Sequence, residues 1–284
     1  MPEGAEVKLY ADCLWEAFRE QQIIDLEINE RSRYWKEGLP NLEALSYPLQ
    51  INNIVSRGKK IIFDLEDADG KTIFFVSFLG LEGHWQYKKG KHSGILLRFG
   101  SFADEEKTIL RTTRTLYYDD SRHFGSFTIC LEEKELDQIM KTVGPDLLED
   151  EIAIEDYIAV CRKKAVANKP LCEFLMMQQH FSGVGNWVRA EVMYECGFHP
   201  FRLMESLDDE ELELLLATSQ SVLKRAYEAF GLTLATYVLP NGQKGLYETK
   251  VYGRKVDPDG NEVVQTKDKD KRTVHWVPEV QTKE

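Results

Sequence analysis

An α+β chain in which a β-rich half precedes a helical half is the architecture expected here, and three features carry the expectation. From about residue 49 to 131 polar and apolar residues alternate, or run in short β-branched and aromatic stretches: "KIIFDLED", "KTIFFVSFL", "GILLRFG", "TILRTTRTLYY" and "FGSFTICL". Beyond Gly144-Pro145 the spacing lengthens to that of helices, in "EDYIAVCRKK", "PLCEFLMMQQ", "NWVRAEVMYECG" and "DEELELLLATSQSVLKRAYEAFG". With 284 residues, 43% of them hydrophobic and 11% aromatic, the chain can bury one large core or two ordinary ones.

Taken in order, "EVKLYADCLWEAFRE" (6–20) places apolar residues at 7, 9, 10, 14, 15 and 18, a helix with one buried stripe. The residues before it, "MPEGAE", suit a helix start, since proline is pre-organised for the first turn and acids favour the positive end of the dipole. The β-rich half should form a sandwich or barrel carrying this helix, with Asp69-Gly70 marking a hairpin. In "FSGVGNW" (181–187), between two helices, Gly183 and Gly185 allow a tight turn and Asn186 can cap the second helix. The tail "KVYGRKVDPDGNEVVQTKDKDKRTVHWVPEV" is β-like again, with a Pro-Asp-Gly turn and a second run ending at Trp276. The expected divisions are an N-terminal β-sandwich domain over 1–135, a linker over 136–150, a helical domain over 151–238 and a terminal hairpin region over 239–284.

Composition narrows the function classes. No apolar run approaches the roughly 20 residues that span a bilayer, and acids stand where a signal peptide carries bases, so no membrane association is expected and the protein should act inside the cell. Five scattered cysteines (Cys13, Cys130, Cys161, Cys172, Cys196), without a C-x-x-C, read as reduced thiols and supply no zinc site. The net charge of −12 argues at first against nucleic acid, but affinity for DNA follows local charge. Base is concentrated in "SRGKK" (56–60), "YKKGKH" (87–92), "CRKK" (161–164), "YGRK" (252–255) and "KDKDKR" (267–272). A tight glycine turn between helices can present backbone amides to a phosphate, and a basic hairpin can enter a DNA groove.

Six motifs, in order along the chain, carry a resemblance. "MPEGAEV", "RGKKIIFDL", "FLGLEGHW", "DSRHFGSF", "VGPDLL" and "FSGVGNWVRAEVMYECGFHP" are similar to those of the formamidopyrimidine-DNA glycosylase and endonuclease VIII family of base-excision repair, most of all its branch with a zincless finger. The resemblance implies a helix-two-turn-helix domain in the second half and a DNA glycosylase with abasic-site lyase activity. Substrates would be oxidised pyrimidines, formamidopyrimidines and hydantoins in damaged DNA, duplex or single-stranded, bound by a monomer in the cleft between the domains. Neither metal nor another cofactor is implied. Localisation in a nucleus, or in a nucleoid or cytoplasm, stays open.

The opening motif then acquires a chemical meaning. With Met1 removed, Pro2 exposes a secondary amine, whose attack on a deoxyribose C1′ forms an iminium that releases the base and acidifies the neighbouring sugar proton. Glu3 is the natural proton donor to the ring oxygen, and Glu6, one turn on, resembles the family's supporting carboxylate. The match places the active-site lysine at Lys59, on a β-strand, with Lys60 out of register. It implies that Leu81, Arg122 and Phe124 fill the gap left by a flipped nucleotide, and that Lys169, Asn186 and Arg272 grip phosphates. The finger has no cysteine, so packing by Tyr252, Trp276 and Pro278 should hold it. The chain departs from the family pattern at Ala5, at Leu81 in place of methionine, and in a shortened lesion-capping segment (236–255). The alternative is a catalytically idle member that only binds damaged DNA.

Overall fold

A computed structural model describes residues 2–102, 110–233 and 238–282. Contacts divide these residues into two units. One takes Pro2, residues 6–141 and 238–245; the other takes 3–5, 142–233 and 246–282.

The first unit is built on one antiparallel sheet. Its strands are β1 (Gln22–Ile28), β2 (Leu49–Arg57), β3 (Lys60–Glu66), β4 (Thr72–Phe78), β5 (His84–Gln86), β6 (Ser93–Phe102), β7 (Leu110–Asp119) and β8 (Ser126–Cys130), in the order β5-β7-β6-β1-β2-β3-β4-β8. The sandwich is therefore a single sheet folded over rather than two separate sheets. The fold lies at β1–β2, which share only the pairs Gln22↔Gln50 and Ile23↔Leu49, with register shifts at Ile23/Asp25 and Ile51/Asn53 that bend the strands there. Folding brings Trp85 of edge strand β5 to 6.0 Å from Phe127 of the opposite edge strand β8 and 6.1 Å from Phe63 of β3. The indole N–H of Trp85 donates to Ser77 Oγ at 3.1 Å, so the buried ring has no orphaned donor.

Besides the β1–β2 connection at the fold itself, two connections pass from one half of this sheet to the other: β4 to β5, through residues 79–83, and β7 to β8, through residues 120–125. Helix α1 (Gly4–Phe18) buries Val7, Tyr10, Ala11, Leu14 and Phe18, the i, i+3/i+4 stripe expected from its sequence, and Phe18 stacks on Phe99 of β6 at 3.6 Å. The short α2 (Arg33–Glu37) is capped by Ser32, and α3 (Glu133–Met140) covers Ile62, Phe74 and Val76. The Asp69-Gly70 signal lies in a five-residue connection closed by Asp67 N–H to Lys71 O (2.9 Å), wider than a two-residue hairpin because Asp67 Oδ1 also collects the Asp69 and Lys71 amides.

The second unit is helical. After α4 (Ile154–Cys161), α5 (Lys164–Ala167) and α6 (Leu171–Phe174), the helices α7 (Asn186–Cys196) and α8 (Asp209–Glu228) pack on a core that includes Phe174, Trp187, Val192, Leu215 and Val222. Helix α8 starts with a capping box between Asp208 and Glu211. The tail makes two tight turns where one is expected from the sequence. The Pro-Asp-Gly turn closes a small bridge between Val256 and Glu262, and the finger proper is the hairpin β9 (Val264–Lys267) and β10 (Thr273–Trp276). Among the described residues no helix is long and apolar enough to cross a membrane.

Candidate active site

Helix α7 follows Gly185, an N-cap residue with no side chain to cap it. Its cap comes from the other end of the sequence. Glu3 Oε2 accepts from the amides of Gly185 (2.6 Å) and Val188 (3.1 Å), and Oε1 accepts from Trp187 (2.9 Å). A carboxylate at a helix start satisfies amides that lack partners within the helix and meets the positive end of the dipole. Glu3 is 1% exposed, so these bonds are made away from solvent.

The glycine turn exists to admit this segment. A Cβ on Gly185 would lie 2.3 Å from the Glu3 carboxyl carbon, and one on Gly4 would lie 2.9 Å from Gly183 Cα. Gly183 has φ +106°, a conformation that side chains disfavour, and its carbonyl accepts from Gly4 N–H at 2.8 Å. The turn that resembles a phosphate cradle in the sequence thus gives three of its amides to Glu3. Helix α1 starts at Gly4, two residues after the proline expected to open it, because Glu3 and Gly4 are already committed to this turn.

Asn186 does not cap α7. Its Nδ2 donates to Thr273 O (3.0 Å) and its Oδ1 accepts from Arg189 Nη2 (2.6 Å), which turns the side chain toward the finger. Arg189, fully buried, also donates through Nη1 to Cys172 O (2.7 Å) and to Asp268 Oδ2 (2.9 Å). Asp268 Oδ1 accepts the amide of Arg272 at 2.8 Å, leaving the Arg272 side chain about half exposed, with Asp270 at 3.3 Å. Lys169 and Arg272 line one open pocket together with Lys269 and Glu173, and the last two form a 2.6 Å ion pair.

Tyr252 packs edge-on against His275 at 4.9 Å, and Trp276 against His199 at 4.7 Å, as the packing expectation for the finger requires; Pro278 is half-buried. Tyr252 does more than pack. Burial pushes its phenol up, a hydrogen bond with Asn186 opposes this, and the Glu3 carboxylate pushes it up again.

In the first unit Pro2 is half-buried and Glu6 is 1% exposed in the first turn of α1. Lys59, 9% exposed, sits in the two-residue turn Gly58-Lys59 between β2 and β3 and not on a strand; Gly58, at φ +58°, supplies the left-handed position such a turn needs. Strand alternation therefore does not decide between the two lysines. Lys60 opens β3 opposite Phe78, with its ammonium 5.4 Å over that ring, and burial lowers its pKa.

The three gap-filling candidates stand on the β4–β5 and β7–β8 connections. Gly80, at φ +64°, crosses the Phe124–Gly125 backbone so closely that a Cβ would lie 2.5 Å from the Phe124 carbonyl carbon, and half-buried Leu81 follows it. Arg122 lies over the Phe124 ring at 5.2 Å and within 3.7 Å of Glu82. Phe124 is 54% exposed, which rules out a core role. Its loop is held from beneath: Asp120 accepts from the amides of His123 (3.0 Å) and Gly125 (2.8 Å), and Arg33 donates to the His123 carbonyl (2.9 Å) and to that of Gly125.

The Arg189–Asp268 pair escaped sequence reading. An arginine in the apolar run "NWVRAEVMY" is the one available signal, and nothing local says that its partner lies 79 residues away.

The chain is similar to known proteins over most of its length. Residues 1–127 match the model of the formamidopyrimidine-DNA glycosylase N-terminal domain, and residues 143–237 match that of the formamidopyrimidine-DNA glycosylase H2TH domain. The formamidopyrimidine-DNA glycosylases of Salmonella heidelberg (strain SL476) and Salmonella typhimurium (strain LT2) are each 34% identical over 177 residues. That match takes in 61% of this chain and 64% of the relatives' length. Among solved structures, the MutM (Fpg) protein of Thermus thermophilus superposes with a TM-score of 0.82 at 25% identity, over 100% of both chains. The Lactococcus lactis Fpg, in a complex with DNA containing an abasic site, shares the fold with a TM-score of 0.81 at 23% identity, over 99% of this chain and 100% of that one. The two matched domains take in most of the sequence, and the chain belongs to the formamidopyrimidine-DNA glycosylase family.

Proposed function

We propose that this protein is a DNA glycosylase with abasic-site lyase activity that removes oxidised pyrimidines, formamidopyrimidines and hydantoins from damaged DNA in base-excision repair. What supports this most directly is the seat of Glu3. A carboxylate fixed by three backbone amides directly follows, in sequence, a residue whose amine becomes a nucleophile once Met1, which lies outside the described residues, is removed. The relatives' names, and complexes of the Lactococcus lactis Fpg with DNA carrying an abasic site or an oxidised pyrimidine, point to the same chemistry.

In this mechanism the neutral Pro2 nitrogen attacks C1′ of the flipped nucleotide, and the base departs with the C1′–N bond electrons. The attack leaves the nitrogen protonated; this proton passes to the Glu3 carboxylate, and the freed nitrogen lone pair then expels the ring oxygen, which takes the proton back from Glu3, giving a ring-opened iminium. Loss of the acidified C2′ proton eliminates the 3′ phosphate, and a second elimination removes the 5′ phosphate. Glu6 supports the carboxylate machinery, and Lys59 meets the phosphate beside the lesion. Leu81, Arg122 and Phe124 fill the gap in the stack, where an apolar wedge, a ring and a guanidinium replace what a flipped nucleotide leaves behind. Lys169, Asn186 and Arg272 hold the backbone. The route draws on an amine and carboxylates of the chain itself, and the protein acts as a monomer inside the cell, on duplex DNA and, where a lesion is unpaired, on single strands.

Borohydride trapping of untagged protein on a duplex with a single 5-hydroxyuracil tests the mechanism, with Pro2→Gly and Glu3→Gln beside it. The expected result is a covalent adduct at residue 2 for the wild type and none for Pro2→Gly. Tight binding with no adduct, here and on an abasic-site duplex, would leave a protein that only binds damaged DNA.

A further inference from the structure

We infer that Arg189 is the latch of the finger: one buried guanidinium fixes the backbone on both sides of Arg272, so that the finger arginine is delivered to DNA without a metal. The inference rests on the proposed function, because it assigns a task to the finger in DNA binding.

The geometry converges on one side chain. Arg189 Nη1 reaches Asp268 Oδ2 at 2.9 Å while Nη2 reaches Asn186 Oδ1 at 2.6 Å. Asp268, through its other oxygen, accepts the Arg272 amide at 2.8 Å, and its own amide donates to Arg272 O at 3.0 Å. Asn186 donates to the carbonyl of Thr273, the next residue, at 3.0 Å. The backbone is therefore held at 272 and at 273 by two side chains that share one guanidinium. A third bond, from Arg189 Nη1 to Cys172 O at 2.7 Å, ties the same group to α6.

Both charges are out of water, with the Arg189 and Asp268 side chains 1% and 2% exposed. Breaking such a pair from one side strands the other charge, so it holds only one arrangement of the hairpin. The planar fork matters. Arg189 serves three acceptors in different directions, which a lysine, with its single nitrogen, cannot reproduce. By contrast, the side chain that is positioned, Arg272, stays about half exposed beside the exposed Asp270. The arrangement is rigid at the backbone and open at the guanidinium, as a phosphate-gripping residue requires. Arg189 is thus a positioning residue that acts through Arg272.

The test is a double-mutant cycle on the full-length protein. Affinity for a duplex carrying a tetrahydrofuran abasic-site analogue is measured for Asp268→Asn, Arg189→Lys, Arg272→Ala and the double variant Asp268→Asn/Arg272→Ala. Kinetics on 5-hydroxyuracil and hydrogen exchange at the Arg272 amide accompany it. Arg272→Ala should weaken binding about tenfold, the loss of one charge-assisted contact. Asp268→Asn and Arg189→Lys should lose nearly as much, chiefly in KM, with faster exchange at Arg272, and the double variant should be no weaker than Arg272→Ala alone. General loosening of the fold would instead add to the Arg272→Ala loss. Additive losses, or wild-type affinity and exchange in Asp268→Asn, would overturn the latch while leaving the proposed function in place. A wild type without salt-dependent DNA affinity would overturn both.

Discussion

Glu3 and Gly185 approach so closely that the glycine amide lies 2.6 Å from the carboxylate and a methyl group on that glycine would overlap it. The Glu3 carboxylate and the start of α7 are one object. A Gly185→Ala variant should therefore displace Glu3 and slow single-turnover excision of 5-hydroxyuracil by about a hundredfold or more, the scale on which a positioned proton donor acts. An unimpaired rate would show that the seat is dispensable.

The exposure of Phe124 separates stability from function. Because its ring is largely in solvent, Phe124→Ala should move the unfolding free energy by less than about 0.5 kcal/mol. Excision from duplex DNA should nevertheless fall, and fall more than excision from a single strand, where no stack has to be filled. Equal losses on both substrates would remove the gap-filling role.

Gly80 should behave in the opposite way. A side chain there meets a strained φ of +64° and a backbone carbon 2.5 Å away, so Gly80→Ala should cost more than about 1 kcal/mol in urea unfolding as well as slowing duplex excision. A variant as stable as wild type would mean that the two crossing loops adjust freely.

His275 makes the finger sensitive to acid. Burial, then Arg189, then Lys267 lower its pKa from 6.5, so between that value and the lower folded one the unfolded chain binds the proton and the native protein does not. The stabilisation is complete above 6.5 and is lost as the pH falls toward the folded value. Urea midpoints measured from about pH 8 down to about pH 5 should show this loss in the wild type, with a shallower slope in His275→Asn. Identical slopes would place the acid sensitivity elsewhere.

Local rules made much of this legible. The stripe of α1, the short β-branched and aromatic runs of β3 and β4, and the capping acids of α8 follow from spacing and side-chain chemistry. What escaped was non-local. The unbroken run "GKKIIFDL" puts Lys59 on a strand in the sequence, whereas Gly58 turns the chain just before it. Asn186 looks like a cap by type and position, yet the cap is a carboxylate 182 residues from Gly185. The finger carries no local sign of the buried arginine that holds it, since Arg189 and Asp268 meet only in the folded chain. The lesion-capping segment lies partly outside the described residues, at 236 and 237.

The folded-over sheet has a consequence for how such proteins diversify. Loops at the rim of a sheet ordinarily tolerate insertions, and families vary their specificity by lengthening them. Here Leu81, Arg122 and Phe124 ride on the β4–β5 and β7–β8 connections, which pass from one half of the sheet to the other and cross at Gly80 and Phe124 with no room for a methyl group. Length is fixed there by the need to bring β5 and β8 back to their partners. Evolution along this surface is therefore confined to exchanging one side chain for another, and lesion preference should drift by substitution where other scaffolds drift by insertion.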